Sequence, residues 1–213
     1  MKVTLIGATG FVGTAVLAEL LQRHHQVTVL ARDPAKLAPQ AGLTVVKGDA
    51  QEAAQVQAVV AGHDAVVSAY NPGWGNPAIY DEFLKGTRAI HAGVSQAGVR
   101  RLLVVGGAGS LFVAPGVQLV DTPQFPEEWK AGALAARDAL NFIREESTLD
   151  WTFLSPPILL EPGERTGQYR LGTDAPLMNG DAPGQISVAD LAVAIVDELE
   201  TPRHVKQRFT VAG

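Results

Sequence analysis

Short, almost continuous apolar runs punctuate the chain: Val3–Ile6, Val27–Ala31, Leu43–Lys47, Ala65–Ser68, Arg101–Val105 and Trp151–Leu154. Each is too short for a stable helix, which predicts a strand buried on both sides. The longer stretches between them predict helices over Phe11–Leu21, Gln51–Val60, Ala78–Ala97 and Glu127–Glu146. Gly98 is the stop signal of the third. Apolar strands alternating with helices predict a parallel sheet covered on both faces. Further on, a short strand is expected around Tyr169–Leu171. A helix should open at Ile186–Asp190, with Ser187 as its cap, and end at Glu200, followed by a closing strand over Gln207–Val211. Phe112–Pro126, with three prolines, reads as loop, and Glu161–Gly184, rich in Gly, Pro and charge, as a small C-terminal lobe.

Between the first strand and first helix stands Gly7-Ala8-Thr9-Gly10-Phe11-Val12-Gly13. The first glycine lets the chain turn sharply, Gly10 lets the helix amides approach a diphosphate, and Gly13 lets the helix pack closely on the sheet. The helix N-terminus then offers free N–H groups and partial positive charge to an anion. This predicts a Rossmann-type doubly wound α/β sheet that binds a dinucleotide, with the C-terminal lobe holding substrate. The second strand ends at Arg32-Asp33-Pro34, where such a fold reads the adenosine ribose. Asp33 has a local explanation as cap of a short helix through Leu37, whereas Arg32 has none. The residues therefore favour NADP, through a 2′-phosphate on Arg32, with NAD as the alternative.

The glycines fall as GxxGxxG, and with ARDPAKL, KGDA, GGAGSL, LSPP and ISVADLA following in order, the chain resembles the atypical and extended short-chain dehydrogenase/reductases almost end to end. The nearer resemblance is to their NmrA-like, NAD(P)H-binding branch of NADH-flavin reductases. It implies cofactor contacts from Gly7, Thr9, Gly10, Phe11, Val12, Gly13, Arg32, Asp49, Ala50, Ser68, Ala69, Gly106, Gly107, Ser155 and Pro156. Asp49 would lie at the adenine, and Ser155-Pro156 at the nicotinamide carboxamide. Ser110 holds the place of the superfamily's catalytic serine, although a loop hydroxyl bonded to its own backbone is the competing reading. The superfamily's Tyr-x-x-x-Lys pair is absent, because Trp74, Leu84 and Thr173 stand four places after Tyr70, Tyr80 and Tyr169. Lys130 lies near the lost position and reads as a helix-surface lysine. The missing pair argues against the usual alcohol and ketone chemistry.

The link Ala69–Pro77 carries Tyr70 and Trp74 on a Gly/Pro/Asn-rich loop at the carboxyl end of a central strand. These aromatics could flank a flat substrate or pin the loop, and Tyr169 is a third candidate substrate contact. The 213 residues, 46% of them hydrophobic, suffice for one domain over 1–213, with a dinucleotide core to about residue 155 and a substrate lobe from about 156. A net charge of -5 without a Lys/Arg stripe speaks against nucleic acid and anionic membrane as partners. The absence of cysteine removes thiolate and disulfide chemistry. No apolar run approaches the roughly 20 residues of a membrane helix, so a cytoplasmic location is expected. His24, His25, His63, His91 and His204 form no metal-binding spacing, and the serine-hydrolase elbow and ATP phosphate loop are also missing. The expectation is hydride transfer from NADPH to a small-molecule acceptor, with a flavin or quinone as candidate substrate. The alternatives are a redox sensor that binds the dinucleotide without turnover and a carbonyl reductase with a relocated proton donor.

Overall fold

The computed structural model describes all 213 residues. Strands β1 (Lys2–Ile6), β2 (Gln26–Ala31), β3 (Leu43–Lys47), β4 (Ala65–Ser68), β5 (Arg101–Val105), β6 (Asp150–Ser155), β7 (Arg170–Gly172) and β8 (Gln207–Ala212) form one sheet. Its order is β7-β8-β6-β5-β4-β1-β2-β3, parallel throughout except for β7 against β8. The helices are α1 (Phe11–Gln22), α2 (Ala53–Val60), α3 (Ile79–Gln96), α4 (Glu127–Arg144) and α5 (Val188–Glu200). One apolar layer joins α1 and α5 to Val3, Leu5, Val27, Val29, Phe209 and Val211. The other joins α2, α3 and α4 to Ile6, Leu30, Val66, Leu102, Trp151 and Phe153. With both faces covered, neighbours in a strand must both be apolar, and this is why the strands appear as unbroken apolar runs.

The chain leaves β1 to one side for β2 and β3 and returns to β4 on the other. A crevice therefore opens beyond the carboxyl ends of β1 and β4, the switch point where doubly wound sheets bind ligands. Gly98, at φ +74°, ends α3 as expected, with Val99 N–H bonded to Val94 O and Gly98 N–H to Ser95 O.

Three expectations change. Phe112–Pro126 contains a small antiparallel hairpin, Phe112–Ala114 with Val117–Gln118, turning at Gly116 (φ +75°). The helix expected from Gln51 starts at Ala53, because Asp49 Oδ1 accepts Gln51 N–H and Asp49 O accepts Glu52 N–H, closing a turn first. Finally, α5 and β8 belong to the common core, with Leu191, Ile195 and Phe209 fully buried, and β7 joins the main sheet, so only the two short ribbons between β6 and α5 stand outside it. No helix is long and apolar enough to cross a membrane.

Candidate functional site

The three glycines of the first turn do different work. Gly7 sits at φ +88°, and a Cβ there would lie 2.3 Å from Ala69 O. A Cβ on Gly13 would lie 2.0 Å from Gly7 O, so a side chain there is incompatible with α1 against the turn. A Cβ on Gly10 would meet only Gly7 O, at 3.4 Å, an ordinary contact. Protein packing thus explains the outer glycines and leaves the middle one facing open space. Gly10 is the N-cap of α1 and supplies no side-chain cap, and Thr14 Oγ1 turns back onto Ala8 O (3.1 Å) and Gly10 O (2.9 Å). The amides of Phe11, Val12 and Gly13 have no acceptor in the protein. Exposed donors at a helix start, in front of a glycine that leaves room, fit a diphosphate. Thr9 and Phe11 are exposed at this turn, and Val12 packs on the core. Across the crevice Ala69 N–H bonds to Ile6 O (2.9 Å) and buried Ser68 Oγ lies 3.5 Å from Tyr70 N.

At the adenosine end, Asp33 caps the turn Pro34–Lys36 by accepting Ala35 N–H, whereas Arg32 is exposed and bonds to nothing. The guanidinium is available to an anion. Asp49 is held by its own turn, its Oδ1 on Gln51 N–H (2.9 Å) and its N–H on Gln55 Oε1 (2.8 Å), with Ala50 buried beside it. Its carboxylate therefore has a capping duty whatever it does for an adenine.

The structure decides between the two readings of Tyr70. Its ring lies where a Cβ on Gly86 would be 2.2 Å away, its hydroxyl donates to Glu82 O (3.3 Å), and it accepts from Gln51 Nε2 (2.9 Å). It pins the loop to α3. Burial, above all, pushes this phenol above its ordinary pKa. Trp74 remains a rim residue, 58% exposed, its ring laid over Gly132 of α4. Lys130 is a surface lysine, as expected, 3.6 Å from Glu127.

At the nicotinamide end, packing accounts for two of the residues singled out. Gly106 makes room for a side chain of the protein: a Cβ there would lie 2.1 Å from the Phe153 ring. The backbone of Gly106, Gly107 and Ala108 is still partly exposed at the end of β5 and can line the crevice. Ser110 is only 1% exposed and does not face it. Its Oγ lies 3.5 Å from Gly107 O, 3.5 Å from Ser155 Oγ and 3.3 Å from Arg208 Nη1, so it is held inside the turn. Ser155, Pro156 and Pro157 are likewise buried. Sequence reasoning missed Gln51 and Arg208, and no local signal marks either.

Tyr169 does not belong to the site. Its hydroxyl donates to Asp197 Oδ2 (2.6 Å), and Asp197 pairs with Arg23, the residue capping the far end of α1. Twelve helical residues, about 18 Å, separate that end from the glycine turn. Burial, then the Asp197 carboxylate, raise this phenol's pKa.

Residues 7–202 match the protein-family model described as NAD(P)H-binding. Among crystal structures, a proposed epimerase from Bacteroides thetaiotaomicron is 46% identical with TM-score 0.92, over 99% of this chain and 96% of that one. A proposed exported protein from Burkholderia pseudomallei is 42% identical with TM-score 0.89, over 100% of both chains. A proposed NADH-flavin reductase from Streptococcus pneumoniae is 34% identical with TM-score 0.85, over 100% of this chain and 99% of that one.

Proposed function

The chain belongs to the NAD(P)H-binding family, and on that premise we propose that it is an NADPH-dependent oxidoreductase passing hydride to a flavin- or quinone-like acceptor. The amides of Phe11, Val12 and Gly13 would hold the diphosphate, Gly10 would leave it room, and Arg32 would take the 2′-phosphate. When bound, the dinucleotide supplies hydride. The likeness to the Streptococcus protein supports a flavin as acceptor.

One observation carries the choice of acceptor: none of the three tyrosine hydroxyls, nor that of Ser110, is free to act as the acid. Tyr70 is committed to Glu82 O, Tyr80 to Asp138 and Tyr169 to Asp197, while Ser110 is buried. Reducing a ketone concentrates negative charge on one oxygen, and without a positioned donor the barrier rises by several kcal/mol. A flavin or quinone spreads that charge over conjugated atoms and can take its proton from water. The protein then has mainly to hold two flat rings in register, a task for proximity and orientation. Backbone at Gly106–Ala108 and the exposed ring of Trp74 suit that task.

NADPH consumption with FMN, FAD, a simple quinone and aliphatic ketones tests the reading. Turnover is expected with the conjugated acceptors and little with the ketones. Clean ketone reduction without flavin or quinone activity would sink it, and tight NADPH binding with no turnover at all would favour a sensor.

Cofactor choice has its own test. A charged hydrogen bond to phosphate contributes on the order of 1.5 to 3 kcal/mol, so Arg32→Ala should weaken NADPH roughly ten- to a hundredfold. NADH should bind as before, and equal losses for both in a titration would refute the 2′-phosphate role.

A further inference from the structure

Arg208 lies on β8 in register with Phe153 of β6, on the sheet face that carries α4. Its side chain is 1% exposed, with Nη1 on the inner side of the turn after β5 and Nε and Nη2 on Asp174. Nη1 donates to Ser110 O (3.2 Å) and lies 3.3 Å from Ser110 Oγ and 3.4 Å from Ser155 Oγ. Nε donates to Asp174 Oδ1 (2.8 Å), and Nη2 bonds to the same oxygen. Gln118 Nε2 also donates to Ser110 O (3.1 Å), and Phe112 N–H to Asp174 O (2.8 Å). One guanidinium therefore ties the last strand to the Gly106–Ser110 turn and, through Asp174, to the hairpin after it. Two residues along β8, Thr210 Oγ1 is buried without a partner.

The ion pair is lopsided. Its positive end is buried, while Asp174 is 59% exposed, so water screens the carboxylate far more than the guanidinium. The guanidinium charge therefore stands on the inner side of the turn that ends at Ser110, only partly offset by its screened carboxylate. Burying an arginine this deeply carries a large desolvation cost, and its remaining partners are neutral oxygens at 3.2 to 3.4 Å.

We propose that Arg208 is a positioning residue of the acceptor half-reaction: its fork fixes the Gly106–Ser110 turn, and its buried charge favours the anion the acceptor becomes on receiving hydride. This rests on the flavin- or quinone-reducing reading above. In the step, one hydrogen leaves the dinucleotide with two electrons, which oxidises it. The acceptor is reduced to an anion and then takes a proton from water. Arg208 touches none of the reacting atoms; it acts through the turn and through its field.

Arg208→Met removes charge and fork, and Arg208→Lys keeps the charge alone. With FMN as acceptor, Arg208→Met should lower kcat about tenfold or more and leave NADPH affinity within about twofold. Its kcat should also fall as pH rises through the neutral range, because a proton must then arrive with the hydride. The unaltered protein should show a flat profile there, since the charged groups facing Arg208 are Asp174 and Arg144, with no histidine among them. Arg208→Lys should restore the flat profile and most of kcat but raise the KM for FMN several-fold. Variants that lose thermal stability while kcat, acceptor KM and pH profile stay native would overturn the proposal and leave Arg208 a structural clamp. If Arg208→Met does not fold, a native acceptor KM in Arg208→Lys overturns it equally. Absence of any flavin or quinone turnover in the unaltered protein would remove the underlying reading and this inference together, an outcome distinct from native kinetics in the variants.

Discussion

Gly10→Val is expected to abolish dinucleotide binding in a protein that remains folded. The added Cβ meets only Gly7 O, at 3.4 Å, so the turn and α1 can accept it. The valine methyls then project into the space in front of the Phe11, Val12 and Gly13 amides, which have no other partner. A diphosphate held by those amides cannot occupy the same volume. Calorimetry should register no NADPH binding, while circular dichroism and Tm stay near native. Gly13→Val is the contrasting variant: its Cβ would fall 2.0 Å from Gly7 O, and the loss should appear in folding itself. Native NADPH affinity in folded Gly10→Val would mean that the glycine stretch is only a turn.

The second large effect concerns stability. Glu198 of α5 is buried beneath the amino ends of β6 and β8, where its carboxylate accepts from Arg101 Nη2 (3.2 Å), His204 N–H (2.9 Å) and His204 Nδ1 (2.8 Å). Arg203 N–H adds bonds at 3.1 and 3.2 Å. Arg101 is itself buried, and burial, more than Glu198, sets its pKa below that of an ordinary arginine. Glu198→Ala would leave that guanidinium without its counter-charge, held only by Asp150 O, Thr152 Oγ1 and the residue 198 carbonyl, and would free two backbone donors, at a cost of about 3 to 5 kcal/mol. Denaturant unfolding at neutral pH would measure it. A loss below about 1 kcal/mol would mean that the network is not a keystone of the lower edge of the sheet.

The strands and the cofactor turn were legible in the sequence because both are written locally. A strand buried on two faces is apolar at most positions, and the glycine spacing stands directly between such a strand and a helix. Arg32 and Asp33 separated on the same basis, since a cap beside Pro34 has a short-range signature. What stayed hidden depends on distant partners. Tyr70 looked like a loop aromatic because Gly86, which receives its ring, is on another helix. Arg208 carries no local mark, because its burial follows from the register of β8 on β6 and from a turn nearly a hundred residues away. Ser110, which family resemblance singles out, lies on the buried inner side of its turn, and burial of this kind depends on Ser155 and Arg208 far along the chain. The hairpin at Phe112–Gln118 was masked by Pro115 and Gly116, which make its turn and read as loop.

The most direct test of the central claim is a single-turnover experiment without oxygen, in which protein loaded with NADPH is mixed with FMN and the two absorbances are followed together. Loss of NADPH and bleaching of the flavin should proceed with one rate constant, well above that of the mixture without protein, and Gly10→Val should remove the acceleration. Tight NADPH binding with both absorbances unchanged beyond the protein-free rate would contradict the claim that this crevice transfers hydride to a flavin.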